Sequence, residues 1–139
     1  MVDLIDTIVY AGRLKDKSAL MSSSSGGAFT ALSDFFLKNG NAVVAAVYNY
    51  ENHTAEFQMI RDEKQREGAK GSKYMQSKPG DIYWEAYSWL MENQEKELLF
   101  VGMGCQSDGF RKFSEIKGIR DQVYIVDIIC HGSPSPKLW

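Results

Sequence analysis

The chain is poor in cysteine, with two among 139 residues, and carries no basic excess: 16 Lys and Arg stand against 18 Asp and Glu. With so few thiols and no secretory signal ahead of them, the expected setting is a reducing cytoplasm, and a structural disulfide is the less expected use of the pair. A net charge of −2 argues against nucleic acid as a partner, because phosphate binding needs a basic face. Long hydrophobic runs are also lacking. The longest, Ala42 to Val47 and Leu98 to Val101, are far too short for a transmembrane segment. The start of the chain holds Asp3 and Asp6 and no basic n-region, unlike a signal peptide. No internal repeat is visible. Neither the P-loop pattern nor the Gly-x-Gly-x-x-Gly spacing of dinucleotide folds occurs.

What is present reads as a globular protein, 44% apolar and 24% charged, and residues 1–139 are expected to form a single α/β domain. Pro134 to Trp139 resembles the opening of a further helix, so the chain is read as the N-terminal part of a longer protein. Residues 7–13 predict a first strand. A helix is expected from about Ala28 to Lys38, with an apolar stripe of Phe29, Leu32 and Phe36 and a stop at Asn39-Gly40. The runs 41–48 and 54–61 are joined by a polar turn too short for a crossover, which predicts a hairpin. A short helix over 62–70 and a loop over 71–77 follow. The next helix, roughly 80–94, buries Ile82, Ala86, Trp89 and Leu90. Strand 97–101, helix 106–116 with Phe110 and Phe113 inward, and buried strand 122–129 complete a parallel β-α-β unit. The expected fold is a mixed, largely parallel sheet flanked by helices, with one internal hairpin.

Each cysteine follows an apolar run: Cys105 comes after Leu98 to Val101, and Cys130 closes Val123 to Ile129. In open α/β sheets ligands gather beyond the carboxyl ends of the strands, so both thiols are expected at one sheet edge. Cys105 would stand at a helix N-terminus, where the dipole favours thiolate, or act as a small buried hydrophobe. Pairing of Cys105 with His131 would suit a thiol hydrolase or transferase, although no third orienting group is evident. His53 sits in a polar turn and reads as solvated. Asp127, within an apolar strand, calls for partners. Ser22 to Gly27, ahead of a helix, supplies hydroxyls, free N–H groups and a positive dipole end, which suits a phosphate; helix capping in a flexible loop is the plainer alternative. Gly71 to Ser77 lies in the most basic stretch of the chain. There Lys73 could face a phosphate and Tyr74 stack on a flat ring, or both could simply be solvated.

Taken in order, Ser22-Ser23-Ser24-Ser25-Gly26-Gly27, Gly71-Ser72-Lys73-Tyr74-Met75-Gln76-Ser77, Cys105-Gln106 and Asp127-Ile128-Ile129-Cys130-His131-Gly132-Ser133-Pro134-Ser135-Pro136 resemble the coenzyme F420 hydrogenase/dehydrogenase beta-subunit family from about Val9 onward. The resemblance implies an oxidoreductase, an electron-transfer subunit that binds FAD and iron–sulfur clusters. Such a subunit moves electrons between a cluster chain and a hydride carrier such as F420. It implies that Ser24, Ser25, Gly26 and Gly27 hold flavin phosphates, and that Ser72, Lys73, Tyr74 and Gln76 line the flavin or its substrate. Gly102, Gln106 and His131 join these as cofactor contacts, and Cys105 and Cys130 as cluster ligands. Implied partners are ferredoxin-like proteins or hydrogenase and dehydrogenase subunits.

Two departures bear on this. The family's Gly-Thr-Pro before Cys-Gln is Gly102-Met103-Gly104 here, and a cubane cluster takes four thiolates where this chain has two cysteines. The alternative from another class is a non-catalytic docking domain that keeps the family fold.

Overall fold

The computed structural model describes residues 7–134. In chain order these form helix α1 (Lys17–Met21), helix α2 (Ala28–Lys38), strand β1 (Ala42–Asn49), strand β2 (Thr54–Ile60), helix α3 (Glu63–Ala69) and helix α4 (Ile82–Glu92). Strand β3 (Leu98–Met103), helix α5 (Gly104–Lys117), a 3₁₀ turn at Arg120–Gln122 and strand β4 (Val123–Ile128) follow. The four strands lie in the order β2-β1-β3-β4. β1 and β2 pair antiparallel as the expected hairpin, whereas β1–β3 and β3–β4 are parallel. The expected α/β fold, mixed and largely parallel with one hairpin, is the observed one.

The two central strands are covered on both faces, which is why they read as unbroken apolar runs and not as alternating ones. Ala42, Val44, Leu98 and Phe100 face α4 and α5, together with Phe57 from β2. Val43, Ala45, Leu99 and Val101 face the other way, into a layer closed by Phe36 of α2 and Ala69 of α3. An aromatic stack fills the first layer: Phe100 lies 5.2 Å from Phe57 and 4.5 Å from Phe110 between ring centres. The second layer is tied by Arg66 of α3, a buried guanidinium 3.1 Å from Asp34 of α2 and 3.1 Å from the neighbouring Glu67.

Several expectations are corrected. Residues 7–13 are not a strand; Val9 is 87% exposed. A strand needs a ladder partner, and this segment takes none: Lys78 engages the outer side of β2 through Ala55 and Phe57, and the segment does not reach the open edge of β4. The segment is held instead by Leu14, whose N–H donates to Gly26 O at 2.9 Å. Helix α1 was not anticipated; Asp16 starts it by accepting from Ala19 N at 2.7 Å. On α2 the buried face includes Thr30 and Ser33, while Leu32 is exposed. These small polar residues are tolerated because their hydroxyls are satisfied, Thr30 by Ser23 and Ser33 by the Phe29 carbonyl.

β4 is not a buried strand but the edge of the sheet, with Tyr124 50% and Ile128 52% exposed, and it stops before Ile129 and Cys130. Asp127 is accordingly exposed, and its partner is Arg111 at 3.6 Å. α5 begins two residues earlier than expected, which places Cys105 inside its first turn. Trp89 of α4 is only half-buried at the margin of the core. The helix opening expected over 134–139 lies outside the described residues from 135 onward.

Candidate functional site

A cavity of about 590 Å³ opens where the carboxyl ends of β3 and β4 meet the start of α2 and the loop after α3. That volume lies within the roughly 300–1,000 Å³ of small-molecule sites. Parallel strands create the position: β3 and β4 run the same way, so the turns that follow them emerge together.

One end of the cavity is polar. Ser23, Ser24, Gly27, Ala28 and Thr30 contribute to it. Helix α2 starts at Gly27 with φ +75° and no side chain caps it, so the first N–H groups of the helix keep their hydrogen-bonding capacity. The serine run is therefore not spent on capping. Ser23 turns back to donate to Ala19 O at 2.6 Å and to meet Thr30 at 2.8 Å. Gly26 does not line the cavity; it packs under the N-terminal segment, where an added Cβ would lie 2.6 Å from Gly12 O. Because that neighbour is backbone, Gly26→Ala is expected to cost about 1–3 kcal/mol through overpacking. The same change should speed tryptic cleavage at Arg13, and thermal melting with limited proteolysis checks both.

The loop after α3 forms a second wall through Lys70, Gly71, Ser72, Lys73, Tyr74, Met75 and Ser77. The Lys73 ammonium folds back over the end of α3, donating to the carbonyls of Ala69, of Lys70 at 3.0 Å and of Gly71 at 3.1 Å. Burial pushes its pKa down to about 8. Lys70 bonds Ser22 Oγ at 3.1 Å and pairs with Glu67 at 2.9 Å. Both lysines line the same cavity as the uncapped helix end. Tyr74 is exposed and Met75 buried.

The third wall is apolar and carries sulfur: Val101, Gly102, Met103, Val126, Ile128, Ile129 and Cys130, with His131 to Pro134 closing it. Cys130 Sγ lies 3.5 Å from Met103 Sδ and accepts from Gly132 N at 3.3 Å. Ser133 Oγ, on this wall, is buried and has no hydrogen-bond partner among the described residues.

The structure thus brings Ser24, Gly27, Ser72, Lys73, Tyr74, Gly102, Gln106, Cys130 and His131 to one cavity; Ser25, Gly26, Gln76 and Cys105 do not line it. Cys105 is exposed in the first turn of α5, beside Tyr83, whose phenol is pushed up by burial and then by the neighbouring Cys105. The expected pairing of Cys105 with His131 therefore lacks a shared cavity. Lys70, Met75, Met103, Ile128 and Ile129 were not anticipated as lining residues, although each adjoins a segment that was.

The uncapped helix end, the two cations, the partnerless Ser133 hydroxyl and the apolar far wall fit a ligand that joins a phosphate to a flat ring, as FAD does. An iron–sulfur cluster held by this chain alone does not fit. The two thiols face different surroundings, and among the described residues no three His, Cys, Asp or Glu gather in a metal-binding group. No described helix is long and apolar enough to cross a membrane.

Comparison with known proteins adds three findings. No curated protein matches the chain. A chain of the F420-reducing [NiFe] hydrogenase complex from Methanosarcina barkeri, solved in a xenon derivatization study, superposes with a TM-score of 0.71 at 20% identity, over 90% of this chain and 44% of that one. The present chain thus spans less than half the length of that relative, and the likeness is one of fold. Residues 9–80 match the model of the coenzyme F420 hydrogenase/dehydrogenase beta subunit N-terminal family. Since the matched stretch covers more than half of the sequence and carries both the serine-glycine turn and the lysine-tyrosine loop, the chain belongs to the coenzyme F420 hydrogenase/dehydrogenase beta subunit N-terminal family.

Proposed function

We propose that this chain is the FAD-holding α/β part of an oxidoreductase subunit that passes electrons between an iron–sulfur chain and a hydride carrier of the F420 type. The observation that carries the reading is the two-ended cavity, with anion-binding groups at α2 and the 71–77 loop and an apolar, sulfur-bearing wall at the ends of β3 and β4. Bound FAD would supply both two-electron hydride exchange and one-electron transfer. The residues of the chain bind and orient. The α2 N-terminus and Ser24 receive phosphate, Lys73 and Lys70 neutralise it, and Tyr74 covers the ring from the exposed side. Lys73 has all three donors engaged, so direct contact with a phosphate means releasing one carbonyl of α3. The cluster chain comes from a partner subunit or from a further part of a longer protein, in keeping with the ligand shortfall here. Membership in a hydrogenase and dehydrogenase subunit family supports such partners.

Titration of the chain with FAD tests the reading. Quenching of flavin fluorescence with a saturable one-to-one end point is expected, together with a shift of the visible flavin bands. Absence of both at FAD concentrations of about 1 mM would overturn flavin binding by this part. An absorbance spectrum of the longer protein, purified without oxygen, reports flavin and cluster content together.

A further inference from the structure

We infer that Gln106 is a positioning residue that sets the width of the cavity by bolting the 71–77 loop to the start of α5. Both donors of its side-chain amide and one acceptor site of the oxygen are engaged within the protein. Oε1 accepts from Met103 N at 3.1 Å, and Nε2 donates to Ser77 Oγ at 2.9 Å and Ser77 O at 3.3 Å. The Gln106 carbonyl accepts from Tyr83 Oη of α4 at 2.9 Å. One residue therefore joins the β3–α5 turn, α4 and the far loop, three parts of the chain otherwise distant in sequence.

The position of Ser77 gives the clamp its force. Ser77 is 6% exposed, and a buried hydroxyl without a partner is unfavourable by about 1–3 kcal/mol. Just beyond it, Lys78 is locked to β2 through Ala55 O at 2.8 Å and Phe57 N at 3.2 Å. At the other end Lys73 holds the loop to the carbonyls of α3. Between these anchors lies Tyr74, exposed at the cavity mouth with no hydrogen-bonding tie of its own among the described residues. Fixing both ends of so short a loop fixes the opening that Tyr74 covers. Gln106 thus acts on a ligand through Ser77 and the loop; its affinity consequence rests on the proposed reading of the cavity.

Hydrogen–deuterium exchange of the full chain without ligand tests the clamp directly. Gln106→Leu is expected to raise exchange of the Lys78 amide, bonded to Ala55 O, and of the Phe57 amide, bonded to Lys78 O, by about tenfold or more, while exchange in β1 and β3 stays unchanged. Ser77→Ala should give a smaller increase in the same amides. It adds nothing further in the Gln106→Leu background, because both changes remove one interaction. Gln106→Glu keeps the acceptor for Met103 N and loses the donor to the Ser77 carbonyl, so it should fall between the parent and Gln106→Leu. FAD titration forms the second arm, with Gln106→Leu weakening affinity by about tenfold or more at temperatures where the variant is fully folded.

Unchanged exchange of the Lys78 and Phe57 amides in both Gln106→Leu and Ser77→Ala would overturn the clamp. So would a lowered melting temperature with unaltered FAD affinity, since that is the mark of a purely structural residue. If Gln106→Leu does not fold, Ser77→Ala carries both arms. Failure of the parent itself to bind FAD would sink the cavity reading while leaving the exchange result to decide the clamp.

Discussion

Phe110→Ala is expected to destabilise the protein by about 3–5 kcal/mol. The ring is 0% exposed and lies 4.5 Å from Phe100, 5.1 Å from Tyr83 and 6.3 Å from Phe113. It is the main plug between α5 and the sheet, so truncation leaves a void bordered by flat rings and by strands that cannot close onto it. A loss of that size is a large fraction of the roughly 5–15 kcal/mol that holds a domain together. Urea denaturation followed by tryptophan fluorescence measures it. Phe113→Ala, one turn further on and only half-buried, should cost distinctly less. Equal losses for the two would mean that α5 is held by its surface and not by the aromatic stack. Because Cys105 and Gln106 ride on the first turn of the same helix, Phe110→Ala should also loosen the cavity wall.

Lys73→Met is expected to weaken FAD binding by about 10–100-fold, the effect of losing a charge-assisted contact worth about 1.5–3 kcal/mol. The pH dependence separates charge from shape. Burial lowers the free-state pKa of Lys73 to about 8, whereas a bound phosphate favours the ammonium and raises it again. Binding near pH 8 therefore takes up a proton, and affinity in the parent falls as pH rises above 8, by up to about tenfold per unit until the bound-state pKa is reached. The variant has no such slope. Calorimetric titration at pH 7 and pH 9, in two buffers of different ionisation enthalpy, measures both affinity and proton uptake.

The sign for stability is the reverse. Between about 8 and the ordinary lysine value of 10.5 the unfolded chain binds more protons at this position than the folded one, so the contribution of Lys73 to stability rises with pH across that window and is lost as pH falls through 8. A parent whose FAD affinity is flat from pH 7 to pH 9 would remove Lys73 from the anion site.

How much of this could be read beforehand follows the range of the forces involved. β1 and β3 were legible because strands buried on both faces must be apolar throughout, and a run such as Ala42 to Val47 has few other readings. The hairpin was legible from a linker too short for anything else. α2 announced itself through its apolar stripe and its stop at Asn39-Gly40, and α5 through its inward Phe110 and Phe113. The first strand was misread because Thr7 to Arg13 has strand-like composition yet joins no ladder, and pairing is a long-range property. β4 was misread for the same kind of reason. Apolar content does not say whether a strand is central or at an edge, and Tyr124, Asp127 and Ile128 are exposed because no fifth strand among the described residues lies beside them.

The candidate site divides along the same line. That serines and glycines precede a helix, that a lysine and a tyrosine share a loop and that each cysteine follows a strand are matters of chain order, and composition with local pattern was enough to find them. Which of these groups share a cavity was settled by packing. α5 starts at Gly104 and carries Cys105 away from the cavity, whereas β4 ends at Ile128 and leaves Cys130 beside Met103. Gly26 and Gly27 are neighbours in the chain, yet one supports the N-terminal segment and the other opens the helix. Local patterns act over a few residues and are written in the order of the chain. The direction of a side chain at a strand end depends on where the backbone bends to meet its neighbours, and that bend is fixed only once the sheet and its helices have packed.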